Sequence, residues 1–211
     1  MSAAKLTAAD AERLRECASS GGVAVFPADT VYGVCCDPDD AAAAARLYEL
    51  KGRPPERPAA VMFFALSAAL EALAELEGVE RAALETLLPG PVTLLLPNRH
   101  RRFAPACGPD PETFGLRVPQ LPDALAALRS VDVPVMQSSA NLSGASDART
   151  LAEVPLSIRE GADLVLDGGE LPGTPSTVID LRDYAATGGW SVIREGALPS
   201  EAVERMLASA C

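Results

Sequence analysis

Residues 23–58, VAVFPADTVYGVCCDPDDAAAAARLYELKGRPPERP, decide how the rest of the chain is read. Val23-Ala24-Val25-Phe26 is short, apolar and β-branched, the pattern of a buried strand. Pro27 stops that run, and a polar turn, Ala28-Asp29-Thr30, leads to Tyr32 and Gly33. An Ala-rich helix is expected from Asp39 or Asp40, with Ala43, Leu47 and Leu50 on one side. Lys51-Gly52-Arg53-Pro54 closes it with two cations, a permissive glycine and a breaker. A hydroxyl, a phenol and two cations thus stand at the ends of elements that pack together, as in a site for a polar substrate and a phosphate.

The same alternation extends in both directions. Thr7 and Asp10 form a capping-box pattern for a first helix with Leu6, Leu14 and Cys17 on its apolar side, ended by Gly21-Gly22. Strands are expected at 59–64, 92–96, 115–119, 133–137, 162–166, 176–180 and 190–193. Helical patterns fall at 67–76, 79–88, 122–128, 156–159 and 200–208, and the polar, proline-containing stretch 98–111 reads as a mobile loop. Strands alternating with helices give an α/β fold, a twisted sheet flanked by helices. Some strands follow one another too closely for a parallel crossover, so the sheet is expected to be mixed, parallel and antiparallel. Ligands in such sheets bind where strand ends meet. Neither a repeat nor a low-complexity linker divides the sequence, so residues 1–211 are expected to form one domain.

Composition narrows the function. Nearly half of the 211 residues are apolar (48%), but no apolar run reaches the length of a membrane span, and the N-terminus lacks a signal pattern. A cytoplasmic protein without membrane contact is expected. The five cysteines, Cys17, Cys35, Cys36, Cys107 and Cys211, fit neither a disulfide framework nor a zinc site, and read as reduced thiols. His100 is the single histidine, which disfavours paired imidazole ligands and a Ser-His-Asp relay. A net charge of −11 argues against nucleic-acid binding by the whole surface. The cations are grouped instead: Lys51, Arg53 and Arg57; Arg99, Arg101 and Arg102; and Arg117 and Arg194, each alone beside a turn or glycine.

Polar clusters therefore collect at element ends: Thr30 and Tyr32, Lys51 and Arg53, Arg117, then Ser139, Asn141 and Ser143, and finally Ser176, Thr177 and Arg194. Neither a GxxxxGK[ST] loop nor a GxGxxG fingerprint is present, so phosphates would have to be held by Lys51, Arg53 and hydroxyls. From the residues alone the reading reaches an anion-binding α/β enzyme.

The order of the clusters reaches further. FPADTVYGV, KGRP, LLPGPVTLLL, GLRVP, SSANLSG, PSTVID and IREG, in that sequence from about 22 to 196, resemble the YrdC family, the threonylcarbamoyl-AMP synthases. The chain looks like the single-domain form, with the 200–208 helix following the motif-bearing core. The resemblance implies a mixed α/β fold with an open cationic cleft. It also implies a reaction in which L-threonine, bicarbonate or CO2, and ATP yield threonylcarbamoyl-adenylate, pyrophosphate and water. The product passes to partner proteins that make threonylcarbamoyladenosine in tRNA. Mg2+ would accompany ATP, with no metal ligand from the protein. By motif, Thr30, Tyr32, Arg117 and Ser176 would serve threonine, Arg117 forking its carboxylate. Lys51 and Arg53 would be the catalytic cations on the triphosphate, and Thr113, Ser139, Asn141 and Arg194 would complete the ATP site. The chain departs from the family at Ala28, where a threonine is usual, at Met62, near a position that often holds histidine, and at Arg57, where a small or amide residue is common. These changes bear on the amino-acid substrate, serine being the alternative to threonine. Two other readings compete: an RNA-binding or ribosome-maturation module with RNA in the cleft, and a related carbamoyl-transfer enzyme.

Overall fold

The computed structural model describes residues 5–54 and 56–209, and Cys211 lies outside them. Helix α1, Ala8–Ser19, begins at the expected capping box: the Thr7 hydroxyl accepts from the Asp10 amide, and the Asp10 carboxylate accepts from the Thr7 amide. Strand β1, Ala24–Pro27, turns back into β2, Tyr32–Cys36, as an antiparallel pair. No strand is expected at β2 from sequence. Its five residues are all buried, so it lacks the alternation that identifies a half-buried strand. Helix α2, Ala41–Lys51, is capped by the Asp40 carboxylate, which accepts from the amides of Ala42 and Ala43, and it ends at Gly52 in the left-handed region.

The chain continues through β3 (Ala60–Met62), α3 (Leu66–Ala72), α4 (Gly78–Leu87), β4 (Val92–Pro97), α5 (Ala104–Cys107) and β5 (Thr113–Arg117). A 3-10 helix, Asp123–Ser130, leads into β6 (Val135–Ser139). Then follow α6 (Leu156–Gly161), β7 (Leu164–Val165), β8 (Thr177–Asp180), α7 (Tyr184–Thr187), β9 (Ser191–Arg194) and α8 (Ser200–Ala208). Among the described residues all nine strands join one sheet, in the order β7-β1-β2-β6-β3-β5-β4-β8-β9. The pairs β1/β7, β3/β5 and β4/β8 are parallel and the remainder antiparallel, so the sheet is mixed as expected.

Alternation along the central strands separates two faces. Val92, Leu94 and Leu96 of β4, Phe114 and Leu116 of β5, Met136 of β6 and Ile179 of β8 all enter one apolar core. Helices α2, α4, α5, α7 and α8 cover that core through Leu47, Leu84, Leu87, Ala106, Tyr184, Val203 and Leu207. On the other face a second core forms only toward the β1–β2 end, where Leu14 of α1 and Leu125 and Leu128 of the 3-10 helix meet Phe26, Cys35, Met62 and Val135. Across β5, β4 and β8 that face carries no helical cover, and there the cavity opens.

The 98–111 stretch is more ordered than its composition implies. It contains α5, and its arginines are each engaged: Arg99 with Glu80, Arg101 with Glu112, and Arg102 with Glu75. The first and last of those acids belong to the α3–α4 region, which sequence proximity does not reveal.

Candidate functional site

A cavity of about 420 Å3 lies on the uncovered face. Its floor is built from the residues that alternate with the core: Thr93 and Leu95 of β4, Thr113, Gly115 and Arg117 of β5, Gln137 and Ser139 of β6, and Ser176 and Val178 at β8. Register brings them together, with Ala60 opposite both Gly115 and Gln137, and Thr93 opposite Val178. A Cβ on Gly115 would crowd the Thr93 methyl at 3.3 Å and lie 3.6 Å from Ala60.

Arg53, just beyond the α2 C-cap, reaches this floor. Its Nη1 donates to Ser138 Oγ (3.2 Å), its Nη2 to the Pro58 carbonyl (2.6 Å), and its guanidinium carbon sits 5.9 Å from the Tyr48 ring centre. Arg194, on β9, donates to the Ser176 carbonyl (2.7 Å), while Ser176 Oγ and Thr93 Oγ1 are 2.9 Å apart. Among the described residues neither arginine is paired with a carboxylate. Burial holds the Arg53 guanidinium below its usual proton affinity, and the nearby charges of Arg57 and Arg194 push the same way.

Arg117 is buried and partly compensated. Its Nη2 donates to Asp29 Oδ1 at 2.6 Å and more weakly to Thr30 Oγ1 at 3.5 Å, while Asp29 Oδ2 accepts from the Gln120 amide. The Arg117 Nε is buried without an acceptor, an orphan that a native interior rarely tolerates and that a bound ligand oxygen would satisfy. Burial lowers the proton affinity of Arg117, the Asp29 charge opposes this, and Arg194 adds to it. The two arginines therefore sense each other across the same hollow.

Of the residues singled out from sequence, Thr30, Arg53, Thr113, Arg117, Ser139, Ser176 and Arg194 line the cavity. Lys51, Asn141 and Tyr32 do not. Lys51 ends α2 and turns beneath the strand-end loop, where its ammonium donates to the carbonyls of Ser139 and Asn141 and to Asn141 Oδ1. Burial, and then the charge of Arg53, draw its pKa from 10.5 down to about 8. It fixes the turn that presents Ser139 instead of standing in the hollow itself. Asn141 is spent on the same turn, accepting from Ser139 Oγ (2.6 Å) and donating to the Ala145 carbonyl (2.5 Å). The Tyr32 hydroxyl donates toward Asp167 Oδ1 and the Gly169 carbonyl and accepts from the Gly168 amide, a tether for the 167–169 segment. Burial pushes that phenol up to about 12. Ala28 and Met62, the positions that depart from the family pattern, lie in the second core.

Sequence reasoning left out Gln137, Ser138, Asp110, Asp147 and Arg182, all of which line the cavity, and Asp29, which anchors Arg117. Strand alternation from Ser139 back to Gln137 was the available signal for the first. The others depend on loop paths. Cys107 also lines the cavity, but burial raises its thiol above the usual range, so it is no ready nucleophile. Among the described residues no three His, Cys, Asp or Glu side chains group as a metal cage.

A mixed sheet fully covered by helices on one face, and open on the other over a hollow lined by arginines and hydroxyls, defines an α/β protein with a cavity suited to an anionic ligand. The chain matches the Sua5, YciO and YrdC family model, described as telomere recombination, over residues 16–196, and it belongs to that family. It is similar to a threonylcarbamoyl-AMP synthase of Bacillus subtilis, 30% identical over 190 residues that cover 88% of this chain and 53% of the relative. It is also similar to the Chromohalobacter salexigens protein of the same name, 34% identical over 164 residues that cover 77% of this chain and 87% of that one. Pyrococcus abyssi Sua5, whose crystal structure is complexed with L-threonine, matches with a TM-score of 0.82 and 28% identity, covering 96% of this chain and 58% of that chain. The chain thus spans about half the length of the Bacillus subtilis relative.

Proposed function

We propose that the chain is a threonylcarbamoyl-AMP synthase, converting L-threonine, bicarbonate and ATP into threonylcarbamoyl-adenylate, pyrophosphate and water, or, with CO2 as the carbon source, into the same products without water. The observation that carries the proposal is the pair of uncompensated guanidiniums, Arg53 and Arg194, facing one hollow with the orphaned Nε of Arg117. Half-buried Arg53 and exposed Arg194 have no carboxylate partner among the described residues, so a polyanion with a carboxylate-bearing co-substrate would meet cations that remain unpaired.

In this reading Arg117, held by Asp29, takes the amino-acid carboxylate beside the Thr30 hydroxyl. Arg53 and Arg194 take the triphosphate, and Thr113, Ser139 and Ser176 offer hydroxyls along the floor. The threonine amine adds to the carbon of bicarbonate with loss of water, or to CO2 with loss of a proton, and a carbamate forms. A carbamate oxygen then attacks the α-phosphorus as the bond to pyrophosphate breaks. Such a step draws on alignment and charge neutralisation more than on a histidine base. Mg2+ belongs to the substrate here, neutralising charge on the phosphate oxygens, in keeping with an ion that is usually held through phosphates and water. Transfer of the product to partner proteins for tRNA modification, and a cytoplasmic setting, are part of the same reading. Among the described residues no helix is long and apolar enough to cross a membrane. The RNA-module alternative draws little support from the 99–102 loop, whose arginines are already matched by glutamates.

The test is pyrophosphate release by the purified chain with Mg-ATP, bicarbonate and either L-threonine or L-serine. Threonine-dependent release is expected, with a KM for ATP at least tenfold higher in Arg53→Ala, the loss of one charge-assisted contact. Release with serine alone would refute the substrate, and ATP turnover with neither would refute the activity.

A further inference from the structure

We infer that Thr177 is a positioning residue that latches the 194–198 segment to the start of β8 and thereby holds Arg194 over the hollow. This rests on the synthase reading above, in which Arg194 meets the triphosphate. Arg194 is exposed and stands on β9, the last strand of the sheet, which among the described residues pairs with β8 alone. The β8–β9 ladder is also interrupted: Val178 faces Arg194 and Ile179 faces Val192, which leaves Ile193 without a partner. Such a bulge turns two successive residues to one side, and Ile193 and Arg194 both line the cavity. The ladder aims Arg194 and stops there, since Val178 opposite Arg194 is its final pair.

Beyond the ladder the backbone is held by Thr177. Its Oγ1 donates to the Leu198 carbonyl at 2.6 Å and accepts from the Leu198 amide at 3.0 Å, so one hydroxyl closes on both sides of one residue. The Ala197 amide donates to the Pro175 carbonyl at 2.8 Å. Gly196, just before it, lies so close to the same stretch that a Cβ would stand 2.6 Å from the Thr177 amide nitrogen. Arg194 reaches the Ser176 carbonyl at 2.7 Å from a segment already laid against residues 175–177. Past the latch, α8 starts without a side-chain cap among the described residues, and its entry is fixed through Leu198, which packs on the helix-covered core.

Thr177 does not act by touching a ligand. It is 0% exposed, is not part of the cavity lining, and shares the core side of β8 with Ile179, whereas Ser176 faces the hollow. Its effect reaches the hollow through the backbone of residues 194–198. Without the hydroxyl, the Leu198 amide and carbonyl lose their partner at a half-buried position, and the segment is drawn toward water. An exposed arginine has many rotamers, so its placement over the floor depends on where its backbone is held.

The experiment is calorimetric titration with Mg-ATP, alongside pyrophosphate release, for the wild-type chain, Thr177→Val, Thr177→Ser, Arg194→Ala and the Thr177→Val/Arg194→Ala double variant. Thr177→Val keeps the shape and removes the hydroxyl. It is expected to weaken Mg-ATP binding by about fivefold or more, approaching the roughly tenfold loss in Arg194→Ala, that of one charge-assisted contact. Thr177→Ser should return the affinity to within about twofold of wild type. In the Arg194→Ala background Thr177→Val should add less than about twofold, because two residues that act through one contact do not add. A merely structural role would lower Tm without this coupling. If Thr177→Val melts below the assay temperature, Thr177→Ala, which also lacks the hydroxyl, takes its place at a lower temperature. Unchanged Mg-ATP affinity in the hydroxyl-free variant, or a loss that persists in full in the Arg194→Ala background, overturns the latch. A wild-type chain that binds Mg-ATP but releases no pyrophosphate with threonine overturns the synthase reading alone, and the affinities still decide the latch. A wild-type chain that binds no Mg-ATP overturns both.

Discussion

Replacing Lys51 by methionine keeps the apolar stem and removes one of the few buried charges of the molecule. The side chain is 1% exposed, and its ammonium donates to the Ser139 and Asn141 carbonyls and to Asn141 Oδ1. Two opposing quantities set the outcome. Hydrogen bonds from a charged donor contribute roughly 1.5 kcal/mol or more each, so the loss of these contacts costs about 5 kcal/mol. Against this, a pKa drawn from 10.5 to about 8 means that folding disfavours the ammonium, by ~3 kcal/mol. Lys51→Met should therefore be about 2 kcal/mol less stable at pH 7, a fall of roughly 4–8 °C in Tm for a chain of this size.

The pH dependence is the sharper test. Below pH 8 both folded and unfolded chains carry the proton, and the desolvation cost is present in full. Between about 8 and 10.5 the folded chain gives the proton up while the unfolded chain keeps it, so wild-type stability rises with pH. Other titrating groups cancel in the comparison with Lys51→Met. Urea unfolding of both proteins at pH 7 and pH 10 should show the gap widening, by up to ~3 kcal/mol. A gap that stays level or narrows would mean that the ammonium is not desolvated where the structure buries it, and the reasoning would fail.

Asp29→Ala removes the carboxylate partner of Arg117 and leaves a guanidinium unpaired in the interior. A loss of about 3–5 kcal/mol is expected in urea unfolding, together with loss of threonine binding in calorimetry; a change below 1 kcal/mol would show that Arg117 is hydrated without Asp29. Gly196→Ala places a Cβ 2.3 Å from the Pro175 carbonyl oxygen and 2.5 Å from the Ser176 carbonyl carbon. The strain should cost roughly 1–3 kcal/mol and lower pyrophosphate release by displacing Ser176 and Arg194, as checked by thermal melts and initial rates on the same samples.

Local chemistry made much of this protein legible before any coordinates. The Thr7–Asp10 box, the Asp40 cap and the α2 ending at Gly52 follow from contacts within a few residues, so the sequence pattern contains their cause. Arg117, Ser139 and Ser176 were visible as polar residues at element ends, whereas Thr113 entered only through the family resemblance; all four line the cavity. Strand β2 was not legible. It is buried throughout, and its second partner, β6, lies about a hundred residues further along. The order of the basic loop was hidden in the same way, because its glutamate partners come from other elements.

The sequence by itself determined the alternation of strands and helices, the caps, and the residue types gathered at the element ends. Only the tertiary structure decided which end of one sheet face stays uncovered, and which of two cations two residues apart enters the hollow. Lys51, the last residue of α2, is pulled under a turn formed 88 residues later, whereas Arg53, beyond the glycine, reaches Ser138 and the floor. Likewise, Arg117 and Asp29 meet across 88 residues of chain. Burial and pairing of charge depend on everything packed around the group, and a linear pattern does not contain that information.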